Sequence, residues 1–217
     1  MKNLGNGVSY IGMDDLTLDL FEGQYILPEG VSYNSYLIDD EKIAVLDTVD
    51  ARCGDAWFEE ISAVLGDRTP DFLVVHHLEP DHSGMIAEFI RRYPSARIVA
   101  GAKALQMLPQ FLPEDMLLSG DSLCSVAEGD VLDLGSHKLK FISAPMVHWP
   151  EVMMSYDLSD GVFYSADAFG KFGALGKCGF YGSEDEEWTC EARRYYFNIV
   201  GKYGVQVQAL LKKASTL

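Results

Sequence analysis

Between Val74 and Gly84 the chain reads Val-Val-His-His-Leu-Glu-Pro-Asp-His-Ser-Gly. An apolar run ends there, and four ligand-capable side chains, His77, Glu79, Asp81 and His82, follow within a few positions. Imidazoles and carboxylates crowded in this way are the donors that hold divalent cations. If the apolar run is a strand, alternate residues of the loop after it project into one cleft, and the start of a following helix adds His82. A solvated charged loop is the blander alternative, but two imidazoles alternating with two carboxylates directly after a buried strand are uncommon. His76 should point to the opposite face from His77 and serve a structural or supporting role.

Two later segments each offer one more ligand at a strand end. One is Ser143-Ala144-Pro145-Met146-Val147-His148-Trp149-Pro150, the other Tyr164-Ser165-Ala166-Asp167-Ala168-Phe169. Alone, His148 reads as a satisfied core or loop histidine and Asp167 as a helix cap. Added to the first segment they form a set that one metal ion cannot use up. His137 lies in a polar turn and is expected to face solvent.

The elements that must position these residues alternate along the chain. Tyr33 to Ile38 and Ile43 to Leu46 read as strands joined at the turn Asp39-Asp40-Glu41-Lys42, and Ala56 to Leu65 carries apolar residues at helical spacing. Phe72 to Val75 is a buried strand, Ser83 to Arg92 a helix, Arg97 to Ala100 a strand, and Ala102 to Met107 a helix. Strands follow at Leu123 to Val126, Val131 to Leu134 and Leu139 to Ile142, with Glu128-Gly129-Asp130 as a turn. Val152 to Tyr156 and Val162 to Ser165 form a hairpin around residues 157–161, and long helical stretches from Glu187 to Val200 and Val205 to Lys213 close the sequence. This order predicts one α/β (α+β) domain over residues 1–217, a four-layer αβ/βα sandwich with two sheets back to back and helices outside.

In this setting the ligand order resembles the diiron domain of flavodiiron proteins, the A-type flavoproteins of the metallo-β-lactamase superfamily. The resemblance rests on His77-x-Glu79-x-Asp81-His82, His148 in Pro-Met-Val-His-Trp-Pro and Asp167 in Asp-Ala-Phe-Gly, with Gly30-Val31-Ser32-Tyr33-Asn34-Ser35-Tyr36 similar to the family's first strand region. It implies that His77, Glu79 and His148 hold one iron, that Asp81 and His82 hold the other, and that Asp167 bridges them. Asp167 and His148 are the pair expected to be catalytic as well as ligating. Zinc hydrolases of the superfamily place a histidine where Glu79 stands, and a carboxylate there makes the site harder, favouring iron. A pair of ferrous ions in such a site can give electrons to a diatomic bound between them.

The resemblance further implies a homodimeric oxidoreductase reducing dioxygen to water or nitric oxide to nitrous oxide. Its FMN would sit on a flavodoxin-type domain, with a rubredoxin-like donor as the other source of electrons. No Gly-x-Gly-x-x-Gly or phosphate-binding loop occurs here, so this chain is expected to bind no flavin itself. The family's further histidine, on a strand after the C-terminal helices, has no counterpart among His76, His77, His82, His137 and His148. The second iron is therefore expected to be under-liganded, completed by water or a neighbouring chain, or the sequence to be a truncated piece. The rival functions are a diiron dioxygen sensor reporting to a signalling partner, and a zinc hydrolase.

Composition narrows the field. A formal net charge of -16 repels nucleic-acid phosphates and anionic lipid. The apolar runs are far shorter than the roughly 20 residues that span a bilayer, and the start, Met-Lys-Asn-Leu-Gly-Asn, lacks a signal-peptide pattern. A soluble, cytoplasmic protein is expected, with neither nucleic acid nor membrane as partner. The four cysteines contain no Cys-x-x-Cys pair and read as ordinary reduced thiols.

Overall fold

In the computed structural model the described residues are 1–116, 118, 120–182 and 186–217. Strands β1 (Lys2–Gly5), β2 (Val8–Tyr10), β3 (Met13–Asp15), β4 (Leu20–Phe21), β5 (Tyr25–Ile26), β6 (Val31–Tyr33), β7 (Tyr36–Ile38) and β8 (Ala44–Leu46) precede helix α1 (Gly54–Leu65). Then come β9 (Phe72–Val74), α2 (Pro80–Ser83), α3 (Ile86–Arg92), β10 (Arg97–Gly101), α4 (Ala102–Met107) and β11 (Leu123–Val126). The second half contains β12 (Val131–Asp133), β13 (Lys138–Ser143), β14 (Met153–Asp157), β15 (Val162–Tyr164), α5 (Leu175–Cys178), α6 (Glu186–Tyr195) and α7 (Gly204–Ala214).

One seven-stranded sheet runs β1-β2-β7-β8-β9-β10-β11, antiparallel as far as β8 and parallel from β8 to β11. The other is the antiparallel ladder β12-β13-β14-β15. The central strands β8, β9 and β10 are apolar on both faces because both faces are covered. Ile38, Ala44, Leu46, Phe72, Val74 and Val99 of the first sheet share a core with Leu139, Phe141, Met153 and Tyr164 of the second. The alternate residues Leu37, Val45, Leu73 and Ile98 face outward onto Trp57, Phe58 and Ile61 of α1 and Phe89 of α3. In the same way Ile142 and Met154 join the cluster of Tyr195, Ile199, Val200, Val207 and Leu210 from the C-terminal helices. Period-two side-chain placement thus generates helix, sheet, sheet, helix, the αβ/βα sandwich of the metallo-β-lactamase type. Among the described residues, no helix is long and apolar enough to cross a membrane.

Two sequence expectations need correction, and a third, the helical stretch from Glu187, is helical throughout but changes type. Tyr33 to Ile38 is not one strand: β6 pairs with β3 in a small separate sheet, while β7 joins the large one. The break falls at Asn34 and Ser35, where the buried Ser35 hydroxyl donates to the Asp47 carbonyl at 2.8 Å and accepts from the Trp57 indole at 3.1 Å. Ser83 to Arg92 is likewise divided into α2 and α3, and Gly84 between them has no room for a side chain. A Cβ on Gly84 would lie 2.8 Å from Ala51 N and the Pro80 carbonyl and 2.9 Å from the Val49 carbonyl. The stretch from Glu187 to Val200 begins as α6 and widens into a π-turn over Tyr196–Val200.

Candidate metal centre

The backbone after β9 dictates where its side chains go. Val75 N donates to the Val99 carbonyl at 2.8 Å, extending the parallel ladder, and the residues beyond it alternate. His76 turns between the sheets: its Nδ1 lies 2.9 Å from Asp47 Oδ2 and its Nε2 2.8 Å from Ser155 Oγ. His77 turns the other way, Leu78 returns to the core, and Glu79 points with His77. Glu79 is the N-cap of α2 and Pro80 its first residue, so the single turn begins at once and carries Asp81 and His82. Thr48 pins that turn, with its N and its Oγ1 both 2.8 Å from the His82 carbonyl.

His148, on the loop between β13 and β14, and Asp167, just after β15, complete the cleft. His77, Glu79, His148 and Asp167 form one group whose ligand atoms lie within 4.8 Å of one another. Asp81, His82 and Asp167 form a second group of the same spread. That is the scale of one coordination sphere with bonds of about 2.0–2.2 Å. Asp167 belongs to both, one oxygen to each: Oδ1 is 2.7 Å from His82 Nε2, and Oδ2 is 3.2 Å from His77 Nε2 and from His148 Nε2. Glu79 Oε2 closes the first group, 3.2 Å from His77 Nε2 and 2.9 Å from His148 Nε2. All six residues singled out in the sequence therefore meet in one place.

The electrostatics fit cations in both groups. Asp167 Oδ2 and Asp81 Oδ1 are buried without hydrogen-bond partners. The nearest groups to Asp167 Oδ2 are the Nε2 atoms of His77 and His148, each 3.2 Å away. Burial pushes the Asp81 carboxyl up to about 7, helped by the charges of Asp167 and Glu79 and opposed by the imidazoles. Burial also disfavours charge on His77, His82 and His148, but the surrounding carboxylates outweigh it, raising all three, His148 to about 9. The same imidazoles overcome burial at Glu79 and bring it down to about 2. The imidazoles and carboxylates thus hold one another's charges, and a divalent cation among them would take over that role in place of protons.

Three supporting residues escaped sequence reasoning. Asp47, in the left-handed region at φ 54°, accepts from His76 N at 2.7 Å and lies 3.6 Å from His82 Nδ1. Glu151 accepts from His77 Nδ1 and Leu78 N, each at 3.0 Å. Buried Tyr195 faces Asp167, and burial together with the charges of Asp167, Asp81 and Glu79 pushes its phenol well up. Only Glu151, beside His148 in sequence, offered a local signal. His76 has the supporting role expected of it, whereas His137 does not face solvent. It is buried, with Nδ1 2.6 Å from Asp157 Oδ2 and Nε2 2.6 Å from the Asn6 carbonyl, because a turn polar in sequence packs against the loop after β1.

A groove of about 310 Å³ reaches the centre between the β4–β5 hairpin and α2, lined by Leu18, Leu20, Phe21, Tyr33, Glu79 and Asp81 among others.

Comparison with known proteins places the chain in a family. The family described as ODP family beta lactamase matches residues 31–194. An anaerobic nitric oxide reductase flavorubredoxin from Aliivibrio fischeri is 31% identical over 215 residues, covering 97% of this chain and 42% of its own length. The flavodiiron protein of Giardia intestinalis superposes with a TM-score of 0.90 at 28% identity, over 100% of this chain and 52% of that one. Rubredoxin oxygen:oxidoreductase from Desulfovibrio gigas gives 0.88 at 26% identity, over 99% and 53%. The chain thus spans about half the length of those solved structures and less than half of that curated relative. With the family match over most of its length and the shared architecture, this chain belongs to the ODP beta lactamase family, as a domain of the flavodiiron type.

Proposed function

We propose that the centre holds two iron ions and that the chain is the reducing domain of an oxidoreductase acting on nitric oxide, dioxygen or both. The observation that carries this reading is the division of Asp167 between two ligand groups, Oδ1 toward His82 and Oδ2 toward His77 and His148. On this reading His77, Glu79 and His148 hold one ion, Asp81 and His82 the other, and Asp167 both. The carboxylate-rich donor set favours iron over zinc. When bound, the ferrous pair supplies two electrons, which with two protons convert two nitric oxide molecules into nitrous oxide and water; dioxygen needs four electrons and four protons for two waters.

The chain's own residues provide the setting. Leu18, Leu20 and Phe21 form an apolar wall on one side of the groove, while Asp50 and Arg52 also line it, so the groove is wide enough for a diatomic gas without being purely apolar. The Tyr195 phenol, pushed well up by burial and the neighbouring carboxylates, stays protonated and serves as a hydrogen-bond donor to Asp167. His148, with Glu79 and Asp167 against the same nitrogen, stays oriented toward the reacting face. Electrons for repeated turnover would come from FMN on a flavodoxin-type domain or from a rubredoxin-like partner, the flavin reaching the centre across a head-to-tail dimer. The relatives' names, nitric oxide reductase flavorubredoxin and rubredoxin oxygen:oxidoreductase, support this assignment.

The test is a single turnover. Chain loaded with ferrous ion under argon is mixed with nitric oxide, and the headspace is analysed for nitrous oxide. Nitrous oxide formed as ferrous ion is consumed is the expected result. Reversible gas binding without product would point to a sensor, and zinc-dependent cleavage of a phosphodiester or β-lactam to a hydrolase; either overturns the proposal.

A further inference from the structure

A metal-bound imidazole uses one nitrogen for the ion, and whatever meets the other nitrogen fixes its tautomer, its orientation and its basicity. The two imidazoles of the Val74 to Gly84 segment differ in this respect. His82 Nδ1 is buried without a hydrogen-bond partner, 3.6 Å from Asp47 Oδ2, which is engaged by His76. His77 Nδ1 instead meets Glu151 Oε1 at 3.0 Å, and the same oxygen accepts from Leu78 N at 3.0 Å. The Glu151 side chain is fully buried, its Oε2 has no hydrogen-bond partner, and His77 is its ion-pair partner among the described residues.

A carboxylate held in this way is costly to bury unless its charge is used. A neutral acceptor would satisfy the two N–H groups equally well. Glu151 also sits three residues after His148, so the loop that brings one ligand into the cleft brings the group that orients another. We infer that Glu151 is a positioning residue: it holds His77 as the Nδ1–H tautomer with the Nε2 lone pair aimed into the first ligand group, and its charge strengthens that group's hold on a divalent cation. The inference rests on reading the cluster as a metal centre, but it concerns affinity and is independent of the gas reaction. It makes the two halves of the centre unequal, since His82 has no equally close carboxylate behind it.

The variant Glu151→Gln keeps an acceptor for both N–H groups and removes the charge; Glu151→Leu removes both. Each is titrated anaerobically with ferrous ion and, separately, with Co²⁺, whose absorption bands report the coordinating atoms directly. Circular dichroism and thermal melting of the metal-free proteins report the fold. Glu151→Gln should weaken the tighter site by about 10 to 100-fold for either ion, the loss typical of groups supporting a ligand from behind, with the metal-free melt little changed and the cobalt bands of the first equivalent shifted. Unchanged affinity of the tighter site in Glu151→Gln would overturn the inference and leave Glu151 a backbone anchor for Leu78. Equal losses at both sites would overturn it as well. If zinc or cobalt outcompetes iron in the parent protein, the oxidoreductase reading fails, yet the same comparison with Co²⁺ still decides the role of Glu151.

Discussion

Replacing Asp167 by alanine removes the side chain that, among the described residues, belongs to both ligand groups. Two dications bridged by a carboxylate lie about 3.5–4 Å apart, and at an effective dielectric constant of 20 they repel by about 17 to 19 kcal/mol. The repulsion is balanced by the charges of Glu79, Asp81 and Asp167, of which Asp167 alone lies against both groups, with Oδ1 2.7 Å from His82 Nε2 and Oδ2 3.2 Å from His77 and His148. Its loss therefore weakens both halves at once. Each site should lose at least the roughly 10 to 100-fold that even a supporting residue contributes, and the second ion, already short of donors, should not bind at all. Anaerobic titration with elemental analysis measures the stoichiometry, and visible and electron paramagnetic resonance spectra of the oxidised protein report coupling between the ions. Asp167→Asn, which keeps the shape without the charge, should fall between the parent and the alanine variant. If Asp167→Ala retains two ions per chain with an unchanged spectrum, Asp167 is not the bridge.

Other outcomes follow from the same geometry. The group of four, His77, Glu79, His148 and Asp167, should fill before the group of three, Asp81, His82 and Asp167; two equally tight ferrous sites in an anaerobic titration would contradict this. Gly84→Ala presses a methyl group against backbone at 2.8 Å, so it should cost about 1–3 kcal/mol in denaturant unfolding and weaken the site that depends on α2, whereas a neutral effect on both would refute the steric reading. His137 is raised above its ordinary value of 6.5: burial disfavours its charge, but Asp157, the Asn6 carbonyl and Asp160 outweigh it, while Asp40 accepts from its backbone N. The stability it contributes is thus fully present below that value and fades as pH rises through the higher folded-state pKa, so His137→Gln should cost about 1.5–3 kcal/mol at pH 6 and progressively less in alkaline buffer. A pH-independent loss would refute the charged assignment.

How much of this was legible in the sequence depended on how local the cause was. His77, Glu79, Asp81 and His82 could be recognised because they lie together in sequence, from just after the strand that ends at Val74 into the turn that starts at Pro80. The four layers could be read because strands alternate with helical stretches and the central strands β8, β9 and β10 are apolar on both faces. The first thirty residues gave no such signal: β1 to β5 have only two to four residues each, too few to show a period. Asp47 and Tyr195 reach the centre from elements remote in sequence, and no local pattern separates them from an ordinary turn aspartate or core tyrosine. His137 was misplaced for the same reason, as its partners Asp157 and Asn6 lie 20 and 131 residues away. Tyr33 to Ile38 looks continuous in composition and is divided only by what Ser35 meets in three dimensions.

The central claim is that this cleft is a dinuclear iron centre. Its most direct test is elemental analysis of protein expressed in iron-replete medium, purified anaerobically and then brought to saturation with ferrous ion. The account predicts iron in excess of zinc as purified, and at saturation a second ion bound alongside the first, more weakly held. Protein that carries chiefly zinc, or that binds a single ion with Asp81 and His82 unengaged, would contradict it.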